Sequence, residues 1–153
     1  MEACDDSKRI LPKLVYLLKR SLDEWKDTFL CCSDQVNFNK AQLPLFMSIG
    51  TGGISNNKLA ADLNISKQGA SKVIKELEEL GLVRSETCNT DARSVTLFLT
   101  DKGIDLYRHV KNQIELLEKE YKKVVGAKNY EIAIDVMQKL NHYHDQHSKV
   151  ALN

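Results

Sequence analysis

Between positions 66 and 93 the chain gathers residue types suited to gripping a polyanion rather than to breaking a bond. Lys67, Gln68, Ser71, Lys72 and Lys75 follow one another at helical spacing, offering ammonium groups to phosphates and amide and hydroxyl groups to base edges. Ser66 begins that row, and Ser66 and Lys75 are expected to meet phosphates. Arg84 and Arg93 come next; Arg84 has two open readings, a phosphate or a nearby glutamate. The chain holds no nucleophile constellation, phosphate-cradling glycine loop or HExxH motif, so neither an enzyme nor a cofactor is expected.

The element that must position these groups is a helix over 67–80, capped by Ser66 and stopped at Gly81. A hydroxyl at the cap accepts amides that the first turn leaves unpaired. At roughly 100° per residue, Ala70, Val73, Ile74, Leu77 and Leu80 share an arc of about 120°, which must be buried. The polar row projects from the other side of the first half, and Glu76, Glu78 and Glu79 crowd the second half. Such a helix suits insertion of its N-terminal end into a phosphate-lined groove, its dipole adding to the attraction, with the acidic end outside.

A shorter helix over about 57–63 precedes it, with Leu59, Ala60 and Leu63 inward and Ala61 small enough for a close crossing. Segments 83–88 and 94–99 flank the polar turn Asn89-Thr90-Asp91-Ala92-Arg93, and Val95, Leu97 and Leu99 alternate with Thr96 and Phe98 as a half-buried strand requires. Two helices and a hairpin in this order form a winged helix-turn-helix. The fold class is therefore mainly α with a small β-wing.

With 153 residues, the chain has enough for one core carrying appended helices. A net charge of +1 puts any nucleic-acid footprint in local side-chain placement rather than bulk charge. No apolar run approaches the roughly 18 residues a bilayer crossing needs, and the start, Met1-Glu2-Ala3-Cys4-Asp5-Asp6, is acidic without a signal core. A cytoplasmic protein with no membrane partner is expected, its Cys4, Cys31, Cys32 and Cys88 mainly reduced.

Long helices flank the winged lobe. Pro12 either starts the first or kinks it; beyond it Leu11, Leu14, Val15, Leu18, Leu22, Trp25 and Phe29 make an apolar stripe ending near Cys31-Cys32, with a loop over 33–37. A second helix is expected over 39–50, Asn39 and Gln42 having capping-box spacing, although Pro44 favours a start nearer Leu43. Gly50-Thr51-Gly52-Gly53 is a flexible connection. After the wing, a helix capped by Thr100 or Asp101 runs to about Val125 and is closed by Gly126. Its Tyr107, Val110, Ile114, Leu117, Tyr121 and Val124 are spaced 3, 4, 3, 4, 3, a heptad seam that packs either within one subunit or against another. The last helix, about 129–144, offers Ile132, Ala133, Val136, Met137, Leu140 and Tyr143. Three striped helices exceed what one small winged lobe covers, and the excess implies a partner, most simply a second copy.

Leu77-Glu78, Gly81-Leu82-Val83-Arg84, Asp91-Ala92-Arg93-Ser94, Leu97, Leu99-Thr100 and Gly103 together resemble the signature of the MarR family of bacterial transcription regulators. The resemblance implies one MarR-like domain over 1–153, with a DNA-binding lobe over 39–103 and dimerisation helices over 7–32 and 104–148. It implies that Arg93 enters the minor groove, that Asp91 supports it, and that a short strand near Ile54 pairs with the wing. A guanidinium in a narrow groove gains from the concentrated negative potential there, and a neighbouring carboxylate limits its rotamers. It further implies a twofold dimer on a near-palindrome with half-sites about 10 base pairs apart, and a small aromatic effector in a cleft that Tyr16, Trp25, Phe46 and Met47 would line; the same four are equally good core residues.

Other family features do not carry over. The hydroperoxide-sensing branch uses a cysteine early in the first helix, and 12–16 contains none. Adjacent Cys31 and Cys32 read as idle or buried thiols, since a bond between neighbours is strained; Cys88 in the wing strand has the further reading of a modifiable thiol that perturbs DNA contact. The zinc-sensing branch uses paired histidines early in the fifth helix, where only His109 stands, with Gln113 a turn later. His142, His144, Asp145 and His147 have a metal site's composition, but their ligands do not fall in tetrahedral reach, so they read as a fraying tail and no metal is expected. The whole reading is a homodimeric, sequence-specific DNA-binding regulator modulated by an effector, and the resemblance implies a repressor, the commoner sign in that family. The alternative is a winged-helix module that binds protein and not DNA.

Overall fold

A computed structural model describes residues 6–30, 39–87 and 94–151. Segments 31–38 and 88–93, on which the expectations for Cys31, Cys32, Cys88, Asp91 and Arg93 fall, lie outside the described residues. After a 3-10 turn over Asp6–Arg9, α1 spans Leu11–Leu30. Pro12 is its second residue, where a missing N–H breaks no intrahelical bond; the helix starts there and is not kinked by it. The stripe expected along α1 divides in two. Phe29 and Leu30 are buried and Leu22 and Trp25 half-buried, but Leu11, Leu14, Val15 and Leu18 stay exposed.

The expected helix over 39–50 is a 3-10 turn, Lys40–Gln42, followed by α2, Leu43–Ile49. Pro44 falls in the first turn of α2, which is why the regular helix cannot begin at Asn39. The capping box does not form. Asn39 Oδ1 accepts the Ala41 amide at 2.9 Å, while the Gln42 side chain leaves its own segment and donates to Glu76.

Next come β1 (Ile54–Ser55), α3 (Asn56–Asp62), α4 (Lys67–Glu79), β2 (Val83–Thr87) and β3 (Val95–Leu99). The sheet is antiparallel in the order β1-β3-β2, with Ile54 opposite Leu97 and Arg84 opposite Phe98. Ile54 thus supplies the short strand against the wing. Gly53, at φ +79°, lets the chain enter β1 beneath Phe98; a Cβ there would stand 2.5 Å from the ring, and the left-handed backbone would strain any other residue. The core lies below this sheet. Phe46, Leu59, Leu77, Leu82, Leu97 and Val110 have essentially no exposed surface, and Phe29 and Leu30 reach it from the end of α1.

Thr100 caps α5 (Asp101–Val125), its hydroxyl accepting the Gly103 amide at 3.1 Å. Only the first part of the heptad seam is spent on the core: Val110 is buried, Tyr107, Ile114, Leu117 and Tyr121 are half-buried, and Val124 is 82% exposed. After Gly126, α6 spans Ala127–Ala151, longer than the 129–144 expected. The tail histidines therefore lie within the helix, where side chains one turn apart also meet: Gln146 with His142, and the His147 ring with the Tyr143 carbonyl. Burial against α5, and then the Glu118 carboxylate, hold the Tyr130 hydroxyl above its ordinary pKa. The outer row of α6, Ile132, Val136, Met137, Leu140 and Tyr143, is about half exposed. No helix among the described residues is long and apolar enough to cross a membrane.

The end of α4 is knotted to the start of α5. The Thr100 amide donates to the Leu82 carbonyl at 3.0 Å, its hydroxyl donates to the Gly81 carbonyl at 2.6 Å, and Lys102 Nζ donates to the Leu80 carbonyl at 3.2 Å. Gly103 closes the knot because nothing larger fits: a Cβ would lie 2.0 Å from the Leu82 carbonyl oxygen. Gly103→Ala should therefore cost about 1–3 kcal/mol and lower the melting midpoint by several degrees; an unchanged thermal midpoint would show that the two segments are not in contact.

Candidate nucleic-acid interface

The turn between α3 and α4 sets the angle of the pair. Asn64 takes the left-handed backbone at φ 51°, and the Asn64 and Ile65 amides donate to the Ala61 and Ala60 carbonyls, each at 3.1 Å, so that α3 ends cleanly. Ser66 then starts α4, its hydroxyl oxygen accepting the Gly69 amide at 3.0 Å. The apolar face divides as expected, with Ala70, Ile74 and Leu77 buried and Val73 and Leu80 half-buried. Ser66, Lys67, Gln68, Ser71, Lys72 and Lys75 are all exposed, on the first two and a half turns. The structure thus gathers on one open surface six of the residues expected to contact nucleic acid.

Helix α4 is held by its other half. Glu76 accepts from Gln42, Glu78 accepts from the Ser85 hydroxyl, and the carbonyls of Leu80 and Gly81 receive Lys102 and Thr100. The acidic end is therefore an anchorage for α2, β2 and α5, a role that its charge alone did not indicate. Anchoring at one end leaves the N-terminal half, with its partial positive dipole, open to an anion.

Arg84 is at the base of the wing, with its guanidinium on Glu86 and 4.7 Å from the centre of the Phe98 ring. In the single chain the glutamate contact forms, and the ring adds a cation–π contact. Two residues that the sequence did not single out position this region. Ser55 caps α3 by accepting the Lys58 amide at 3.1 Å, and Asn56 Oδ1 reaches the Val95 amide at 3.5 Å, tying α3 to the root of β3. A Ser before Asn-Asn-Lys was a visible cap signal; the link from Asn56 across 39 residues was not.

The four residues expected to line an effector cleft occupy separate environments. Tyr16 is 64% exposed on α1 and borders an open depression with Lys19, Arg20, Asp23 and Glu24. Lys19, hydrogen-bonded to Asp23 at 3.0 Å, holds the Asp23 carboxyl below the usual range, with Lys26 assisting. Trp25 packs edge-on against Phe29 with ring centres 4.7 Å apart, Met47 is half-buried against the core, and Phe46 is fully buried. Phe46 therefore serves the core and presents no face to a cleft in the single chain. Among the described residues no group of three or more His, Cys, Asp or Glu is placed to hold a metal ion.

Residues 36–94 match the MarR family. Over 70 residues the chain is 30% identical to the transcriptional regulator AdcR of Streptococcus pneumoniae, covering 46% of this chain and 48% of that protein. Over 73 residues it is 30% identical to the transcriptional regulator ZitR of Lactococcus lactis, covering 48% and 50%. The chain spans about half the length of the curated relatives it matches. Its fold is the winged helix of solved regulators: PcaV of Streptomyces coelicolor with its natural ligand (TM-score 0.71, 17% identity, 93% of this chain and 98% of that one). FabT of Streptococcus pneumoniae, in complex with DNA, aligns equally well (TM-score 0.70, 21%, 94% and 99%). NadR with 4-hydroxyphenylacetate shares the fold over less of the chain (TM-score 0.64, 22%, 80% and 88%). The curated relatives are named as transcriptional regulators and not as enzymes.

Because the Ser66 cap begins the interface, Ser66→Ala should cost about 0.5–2 kcal/mol of stability, with Ser66→Gly costing only a few tenths. Urea unfolding of both variants checks this, and equal losses would deny the hydroxyl its capping role.

Proposed function

We propose, from a segment 36–94 that matches the MarR family, that the chain is a homodimeric regulator binding a pseudo-palindromic DNA site, as a repressor by that family's precedent. The observation that carries the reading is the two-sided character of α4: its apolar face is buried in the lobe, and the lysine, glutamine and serine row of its first half is exposed. Lys67, Gln68, Ser71 and Lys72 would face base edges or phosphates in the major groove, Ser66 and Lys75 phosphates. Arg93 would enter the minor groove with Asp91 supporting it. Arg84, engaged with Glu86 and Phe98, would act chiefly as a stiffener of the wing stem. The DNA complex of FabT, which shares the fold, supports the docking mode.

The dimer reading rests on apolar surface left open in the single chain. The N-terminal half of α1, Leu116 and the outer row of α6 are exposed, and a second copy covers them by the same surfaces that it presents. A small-molecule effector is supported by PcaV, solved with its natural ligand, and an aromatic one by NadR, solved with 4-hydroxyphenylacetate; in this chain it would act between these helices and the lobe. Of the expected lining residues, Tyr16, Trp25 and Met47 remain candidates for it. The cytoplasm is the compartment that fits a DNA-binding role.

Capture of genomic fragments, followed by gel-shift titration at several salt concentrations, tests the reading. Several phosphate contacts demand a steep fall of log affinity with log salt, and Arg93→Ala should weaken specific binding by roughly 1–3 kcal/mol while the dimer stays folded. A flat salt dependence would favour the protein-binding module instead.

A further inference from the structure

Gln42 is a buried polar side chain, 7% exposed, with its amide donating to the Glu76 carboxylate across 34 residues of sequence. Glu76 is half-buried. On the helix it sits one turn after Lys72, about 40° round the axis from it, and about 60° from Val73 on the other side. The bond therefore meets α4 at the seam between its buried face and its exposed polar row. Burial of Ala70, Ile74 and Leu77 holds the helix against the lobe but is non-directional and tolerates small rotations. A hydrogen bond to a carboxylate is directional and stronger than a neutral one.

We propose that Gln42 and Glu76 are positioning residues that set the roll of α4, and through it the discrimination between DNA sequences. This rests on the DNA-binding reading above. Base-edge contacts from Gln68 and Ser71 need correct orientation, whereas lysine–phosphate contacts are point-charge attractions that tolerate a rotated helix. Losing the latch thus lowers affinity for the chosen site while leaving general affinity for duplex and its salt dependence in place. A residue that merely supports the fold would lower both together.

The test uses the full chain, a duplex recovered from the genomic capture, and a random-sequence duplex. Gln42→Glu places a second carboxylate against Glu76, and Glu76→Gln with Gln42→Glu restores an amide–carboxylate pair with the partners exchanged. Gln42→Glu should lower the ratio of specific to random affinity by about tenfold, the loss expected for one charge-assisted hydrogen bond, with an unaltered salt slope, and the double variant should restore the ratio. Should Gln42→Glu not fold by thermal melting, Gln42→Leu carries the same readout without adding a charge. A folded single variant with the wild-type ratio, or a double variant that fails to restore it, overturns the latch alone. A wild-type chain with a flat salt slope overturns the DNA-binding reading itself.

Discussion

A helix proposed to read DNA while it is held in its own lobe has to be gripped by part of its surface only, and α4 meets that constraint by dividing its length. Apolar side chains secure its inner face. Its polar ties, Glu76 to Gln42, Glu78 to Ser85, and the Leu80 and Gly81 carbonyls to Lys102 and Thr100, lie in the C-terminal half. Among the described residues, the side-chain tie of the N-terminal half is its own cap, Ser66 on the Gly69 amide. Since an unsatisfied helix end costs free energy, the cap lets the polar side of this half stay open while Ala70 and Val73 pack inward. No buried side-chain nitrogen or oxygen among the described residues lacks a hydrogen-bond partner, so the grip is complete without the exposed row.

The knot at Leu80–Leu82 and Thr100–Gly103 carries the same logic outward. It joins the end of α4, the start of β2, the end of β3 and the first turn of α5 by backbone bonds and by the absence of a side chain at Gly103. The ends of α4 and α5 are thereby tied to each other directly, and not only through the hairpin between them. If α5 and α6 pair with a second copy, the spacing of two reading helices follows the geometry of that pairing. A net charge of +1 suits the arrangement, because a locally cationic edge on a near-neutral body favours a defined footprint over indiscriminate coating of DNA.

Much of the fold was legible because its signals are local. Ser66 and Gly81 bracket α4, Thr100 and Gly126 bracket α5, and the alternation of Val95 to Leu99 marks a strand. What escaped depended on tertiary partners. The stripe on α1 is continuous in sequence, yet among its described residues Phe29 and Leu30 are buried in the core with Trp25 packed against it, because the lobe meets that end of the helix. Gln42 had the spacing of a cap partner but is claimed by Glu76, for Pro44 displaces the helix start and frees the amide to cross to α4. Arg84 had two charge partners that periodicity could not rank; in the single chain it meets Glu86, beside its cross-strand neighbour Phe98. The candidate cleft mixed Tyr16, which is exposed, with Phe46, which is sealed in the core; aromatic character does not tell these apart. The extent of α6 was missed because polar residues near its end looked like a tail, whereas the helix runs on to Ala151 with side chains paired one turn apart.

The most direct measurement of the central claim is differential labelling of lysines by an amine-reactive reagent, read by mass spectrometry, with and without a recovered duplex. Lys67, Lys72 and Lys75 are exposed on the first half of α4, and Lys119, Lys123, Lys128 and Lys139 are exposed on α5 and α6. Duplex should protect the first set and leave the second as reactive as in the free protein. Undiminished labelling of the α4 lysines, with protection on α5 or α6 instead, would contradict the account.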